Sequence, residues 1–469
     1  MATAAAVISA RLRSFGRPAG TDSGLIQIGS FTRRVTTPGP SSHRAATEPL
    51  RLLFYFAIGV RKLRRARLMR ILMITPGTRG DVVPAAGLGA RLRSHGHQVA
   101  VAANAPYADI VTAAGCEFRA LPGDMRHLAN PAPADVDAPA RRMRDYLREL
   151  RDYMAQAATG TLAAARAGTD LILANSVAPF ACDVAEGLGV PSAGMYLQPM
   201  EPSAAYPPML LGLARSLGPW GNRLAGAAVR AGPAPYDPAC ARIRRDMGLP
   251  ERTRRAAERC RVRTGWPVYH GISPTVLPRP RDWRAGLTAA GYWWPAPAPA
   301  WTPPTALVDF LSAGPPPVFI GFGSTGMRDG DLIVTAVRRA RLRAVVQGEL
   351  DGSYDDILSI GDVRHDWLFP RVSAVVHHAG AGTTAAGLRA GVPAATVPVY
   401  TDQPFWARRI HELGAGPAPI PARRLTADTL ATAINDVVTV PAYRGRAQYL
   451  ARRLGAEDGA APLLTRLGI

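Results

Sequence analysis

The sequence predicts an α/β protein made of two doubly wound parallel-sheet domains that face each other across a cleft. Three observations carry this. Strand-like and helix-like runs alternate from Arg70 onward, a proline-rich stretch interrupts them at residues 291–304, and 469 residues with 47% hydrophobic content suffice for two cores.

In order, RILMIT reads as the first strand, followed by a helix over Ala85–His95, the strand HQVAVAA, a helix over Tyr107–Ala114 and the strand CEFRALP. A long amphipathic helix over Arg141–Arg166 leads to the strand LILANS, a helix to Leu188 and the strand SAGMYLQ. Residues 200–265 break the rhythm with prolines, methionines, a tryptophan and arginine-rich helical pieces, the kind of insert that shapes a binding site, before WPVYHGIS returns to strand character. GYWWPAPAPAWTPP reads as an extended linker. The alternation then resumes with PPVFIGFGS, a helix from Asp331, RAVVQ, SAVVHH, a helix from Thr383 and PAATVPV. The expected division is a basic leader at 1–68, a first domain at 69–290, the linker at 291–304 and a second domain at 305–469.

The formal charge of +21 would suggest a polyanion partner, but Lys62 is the single lysine, and the arginine excess matches a GC-rich codon bias. Beyond the leader no basic stripe interleaves with aromatics, so nucleic acid is not expected as a partner. The leader is read as disordered or as the product of an upstream start codon, since Met69 directly precedes the first strand. Its run LLFYFAIGV is too short to span a bilayer and leaves peripheral membrane contact as the remaining option for a cytoplasmic protein. Cys116, Cys182, Cys240 and Cys260 are widely spaced, without the pattern of a metal site or a disulfide framework, so no metal is expected. Oligomeric state stays open.

The segment VVHHAGAGTTAAGLRAGVPAATVPVYTDQPFWAR, residues 375–408, carries the chemistry. A strand ends at His377-His378, and small residues through Gly380 and Gly382 lead into a helix opened by Thr383 and Thr384. Glycines let amides approach an anion, and a helix N-terminus stabilises phosphate charge. His378 supplies a further donor, and either threonine can cap the helix. A tight turn with an ordinary threonine cap fits the same residues. After the next strand, Asp402 and Gln403 offer a carboxylate and an amide, the groups that read sugar hydroxyls; capping by Asp402 is the plain alternative.

The segment resembles the donor-binding signature of family 1 glycosyltransferases, in the branch of the sterol 3-beta-glucosyltransferases and antibiotic-aglycone glycosyltransferases, H-H-G-G-A-G-T-T followed by D-Q-P-F-W. HDWLFPR at 365–371, VFIGFGS at 318–324, GTRGDVVP at 77–84 and GYWW match the same branch in order. The resemblance implies the GT-B architecture of two Rossmann-like domains, with a UDP-sugar, glucose being the expected sugar, as co-substrate in the C-terminal half, an acceptor in the N-terminal half, and no other cofactor. It makes Asp81 the general base, with inversion at the sugar carbon and no divalent ion. It gives the diphosphate to Ser324, His378, Gly380, Gly382, Thr383 and Thr384, the base to backbone at Val363, and the sugar to Asp402 and Gln403. Departures from the pattern are Asp362-Val363-Arg364 where asparagine, an aliphatic and proline are expected, the missing Gly-Trp at Gln347-Gly348-Glu349, Ala379 for a glycine, and Tyr400-Thr401 for phenylalanine-glycine beside the sugar-reading pair.

Met195, Tyr196 and Met200, with Tyr206, Met209, Leu210, Leu211 and Trp220, suggest an apolar wall for a sterol, terpenoid, polyketide or other lipid-like acceptor. Two other readings compete: a catalytically inactive nucleotide-sugar-binding protein, and a nicotinamide-dependent oxidoreductase suggested by G-x-G-x-x-G at 321–326. Against the latter, the next strand ends in Gln347 rather than an acid.

Overall fold

A computed structural model describes residues 68–124, 139–213, 215–296, 301–323 and 329–469, with backbone alone for 139–143. The leader, linker residues 297–300 and Ser324 lie outside the described residues.

The first sheet contains β1 (Arg70–Ile74), β2 (Gln98–Asn104), β3 (Glu117–Leu121), β4 (Leu171–Ala174), β5 (Ser192–Tyr196), β6 (Val268–His270) and β7 (Leu287–Ala289). All neighbours pair in parallel, in the order β3-β2-β1-β4-β5-β6-β7. The intervening helices are α1 (Arg79–Arg93), α2 (Ala108–Ala113), α3 (Pro139–Arg166), α4 (Phe180–Leu188), α5 (Gly218–Ala231), α6 (Asp237–Asp246) and α7 (Arg254–Arg263). Residues of β1 alternate between two cores: Ile71 and Met73 meet α1 on one face, while Leu72 and Ile74 meet α3 and α4 on the other. Burial on both faces is why this strand reads as a continuous apolar run.

The second sheet contains β8 (Val318–Gly321), β9 (Ala344–Gln347), β10 (Ile357–Ile360), β11 (Ala374–His377) and β12 (Ala394–Thr396), parallel in the order β10-β9-β8-β11-β12. Its helices are α8 (Thr305–Ser312), α9 (Gly330–Ala340), α10 (His365–Leu368), α11 (Ala381–Ala390), α12 (Gln403–Glu412), α13 (Ala427–Thr439) and α14 (Pro441–Gly455), and the last helix, α15 (Ala461–Leu467), crosses back to the first domain. Both sheets reverse their winding once, between β1 and β4 and between β8 and β11, and the strand ends there are where an α/β sheet meets ligands.

Three features differ from the sequence expectation. Helix α1 begins six residues before Ala85, because Thr78 and Asp81 close a capping box at its start and Pro84 is accommodated inside it. Strand β10 was not expected: at the sheet edge only Ile357 is buried, Ser359 is exposed, and no long apolar run announces it. The start of the supposed linker is packed. Trp293 is buried in the first core and donates to the Gly459 carbonyl at 2.9 Å, and Leu463, Leu464 and Leu467 of α15 return to that same core.

Candidate active site

In the first domain the chain leaves β1 through Gly77, whose φ of +141° suits glycine and whose added Cβ would lie 2.3 Å from Asp81 Oδ2. Thr78 then caps α1. Its backbone N–H and its hydroxyl donate to Asp81 Oδ2 at 2.9 and 3.2 Å, and Asn175 Nδ2, from the end of β4, donates to Oδ1 at 3.2 Å. Asp81 is therefore both a helix-capping residue and a carboxylate held at the switch point. Burial raises its pKa above the ordinary carboxylate value, the bonds from Thr78 and Asn175 oppose this, and the charge of Asp402 raises it further. The supporting loop is braced by Asn104, which accepts from Tyr153 Oη at 2.8 Å and donates to the Gly123 carbonyl at 2.9 Å.

In the second domain β11 ends at His377, and the chain turns through His378 and Ala379, which sits at φ +62°, into α11. Gly380 takes the cap position without a side-chain cap, so the α11 amides remain for an anion. His378 is packed tightly: a Cβ on Gly380 would come within 2.5 Å of its Nε2, and one on Gly323 within 3.0 Å of its Cε1. Its buried Nδ1 has no hydrogen-bond partner, and burial lowers its pKa to about 4, so the ring is neutral at pH 7. A neutral imidazole offers one N–H donor rather than a charge.

Asp402 occupies the cap position of α12 but makes no side-chain cap bond. Its Oδ1 accepts from the Thr401 hydroxyl at 3.1 Å, and its Oδ2 accepts from Gln198 Nε2, beyond the end of β5 in the other domain, at 2.7 Å. Gln198 Oε1 in turn accepts from Trp406 Nε1 at 3.2 Å. Burial raises the Asp402 pKa. Gln403 spends its carbonyl oxygen on the Val399 and Tyr400 amides, at 2.8 and 3.3 Å.

A cavity of about 2580 Å³ runs between the domains and brings together Asp81, Val363, His378, Gly380, Gly382, Thr383, Asp402 and Gln403. Thr384 does not line it: its side chain is buried beneath α11 with its hydroxyl unpartnered, because the helix turns it toward the core. On the acceptor side Tyr196, Met200, Tyr206, Met209, Leu210 and Leu211 line the cavity. Met195 does not. It points from β5 into the first core. Trp220 stands 84% exposed on the outer side of α5. Residues absent from the sequence expectation complete the site: Asn175, Gln198, and Leu150, Tyr153 and Met154 of α3. Asn175 and Gln198 follow the ends of β4 and β5, a position that could have singled them out. Among the described residues no group of three or more His, Cys, Asp or Glu is placed to hold a metal ion, and no helix is long and apolar enough to cross a membrane. All four cysteines are free.

The two parallel-sheet domains thus set an uncapped helix N-terminus and two partly buried carboxylates, Asp81 and Asp402, around one cavity. Residues 71–204 match the glycosyltransferase family 28 N-terminal domain, and residues 329–465 match the C-terminal domain of erythromycin biosynthesis protein CIII-like. O-mycaminosyltylonolide 6-deoxyallosyltransferase of Streptomyces fradiae is 36% identical over 410 residues, 83% of this chain and 95% of that protein. Sterol 3-beta-glucosyltransferase UGT80A2 of Arabidopsis thaliana is 33% identical over 421 residues, 84% of this chain but 64% of the plant protein, and the chain spans 26% of the Candida albicans sterol 3-beta-glucosyltransferase. The solved structures of the kitacinnamycin glycosyltransferase and the calicheamicin glycosyltransferase CalG4 share the fold, each with a TM-score of 0.61 over 86% of this chain and 99% of theirs, at 22% and 17% identity. The chain belongs to the GT-B glycosyltransferases related to the sterol glucosyltransferases and the antibiotic-aglycone glycosyltransferases.

Proposed function

We propose that the chain transfers a hexose, glucose in the first instance, from a UDP-sugar to a hydroxyl of an apolar small molecule, with inversion at the transferred carbon. One observation carries the reading: Asp81 in the first turn of α1, after β1, and Asp402 beyond β12 line one cavity with the α11 terminus. Asp81 takes the acceptor's hydroxyl proton as the acceptor oxygen bonds to the anomeric carbon, while the bond from that carbon to the diphosphate breaks on the opposite face. The α11 amides and the neutral His378 N–H meet the charge left on the diphosphate, so the reaction is read as metal-independent. Asp402 and Gln403 hold sugar hydroxyls. The relatives' names support a lipid-like acceptor, a sterol in one and O-mycaminosyltylonolide in the other.

The test is a thermal-shift screen of UDP- and dTDP-sugars on the full chain, followed by transfer assays on apolar alcohols in the presence of a chelator. Stabilisation by a UDP-hexose and undiminished transfer in chelator support the reading. Stabilisation by dTDP-sugars alone, or loss of transfer on chelation, overturns the corresponding part.

A further inference from the structure

Helix α5 has two faces of unlike character. Asn222 and Gly226 are buried and line the cavity, and Asn222 fixes the helix start by donating to the Ala204 carbonyl at 3.0 Å and accepting from the Leu217 amide at 2.9 Å. The opposite side carries Leu217, Trp220 and Leu224, spaced three and four residues apart and therefore on one ridge, exposed by 49%, 84% and 71%. These are among the largest apolar side chains left in water, on a segment anchored firmly enough that fraying does not explain their exposure. Of the twelve arginines in residues 215–263, Arg223, Arg230, Arg242, Arg244, Arg252, Arg254 and Arg261 are held in ion pairs. Helix α7 packs beside α5 through Arg230 and Glu258, and through the bond from Arg255 to the Ala231 carbonyl, and Arg215, Arg255, Arg259 and Arg263 are exposed.

We propose that the outer face of α5, with the arginines of α7, is a docking surface for an anionic phospholipid bilayer. Tryptophan and leucine enter the headgroup region while arginines meet lipid phosphates, the pairing an interfacial helix needs. The exposed Arg215, Arg255, Arg259 and Arg263 select this occupant over an apolar protein face, which would offer them no counter-charge. Because the inner face of the same helix lines the cavity, docking sets the acceptor end of the cleft beside the bilayer in which a lipid-like alcohol dissolves. That last consequence rests on the proposed acceptor class, whereas docking itself does not.

The test is co-sedimentation of the full chain with vesicles of phosphatidylcholine alone and of phosphatidylcholine with phosphatidylglycerol, for the wild type, for Trp220→Ser with Leu224→Ser, and for Arg255→Gln with Arg259→Gln. The expected result is salt-sensitive binding to the anionic vesicles that falls about tenfold or more in the first double variant and measurably in the second, with melting temperatures unchanged. Equal binding of wild type and Trp220/Leu224 variant overturns the proposal, as does equal binding to neutral vesicles. A wild type that is dimeric by sedimentation velocity, with a monomeric variant, also overturns it by assigning the face to a second copy. Vesicle binding by a chain that transfers no sugar supports docking while counting against the proposed function.

Discussion

Asp81→Asn separates the two jobs the structure gives this residue. As a cap, asparagine keeps an oxygen that can accept from the Thr78 amide and hydroxyl, so the α1 start survives. It replaces a charged acceptor facing Asn175 with an amide, costing about 1–2 kcal/mol of hydrogen bonding, and it removes a buried charge whose desolvation opposed folding. The two terms offset, and the melting temperature should move little. As a base, asparagine cannot take a proton, and transfer should fall by about 10²–10⁴-fold. Gly77→Ala gives an independent check: its Cβ would collide with Oδ2 at 2.3 Å, so the carboxylate is displaced rather than removed and transfer should again fall. The assay is initial-rate transfer over a pH series, with donor binding followed by calorimetry. A raised carboxyl pKa puts the acid limb of kcat/KM above the ordinary carboxylate range, the rate falling as pH drops and Asp81 is protonated. Near-normal turnover of Asp81→Asn with full donor binding would refute the base and leave only the cap.

Gly380→Ala places a methyl 2.5 Å from His378 Nε2 at the mouth of α11, so UDP-sugar affinity should drop about tenfold or more by calorimetry while the fold persists. Gln198→Ala removes the group that reaches across the cleft to both Asp402 and Trp406; kcat/KM for the donor should fall about tenfold, and Gln198→Glu further, since it sets a second carboxylate beside Asp402, with recovery toward low pH where that pair holds a proton. Burial holds His270, His365 and His378 near pKa 4, against about 6.5 unfolded, so the unfolded chain binds protons the native state refuses. Stability should therefore decline as pH falls from about 6.5 toward 4, and His365→Phe, which keeps the stack on Phe369 at 4.4 Å, should flatten part of that decline in urea titrations.

What could be read ahead of the structure follows strand chemistry. A central parallel strand must be apolar on both faces, so RILMI and AVVH announce themselves, and the turns that follow them inherit the switch point; GTRGD and HHAGAG are legible for that reason. An edge strand such as Ile357–Ile360 has no such obligation. Asn175 and Gln198 were hidden because each is a single polar residue after an ordinary strand, and only the sheet order brings Asn175 beside Asp81. Helical faces were the other blind spot. Trp220 shares the composition of the apolar wall yet faces away from it, since one residue of helical phase separates a lining position from a solvent one. Two of the departures from the family pattern acquire a physical meaning of their own. Ala379 and Thr401 both lie at positive φ, +62° and +52°, where glycine carries no penalty and a side chain costs about 1–2 kcal/mol. At Thr401 that cost accompanies a hydroxyl aimed at Asp402, so the strain stands at the group that would meet the sugar, where binding can turn on it.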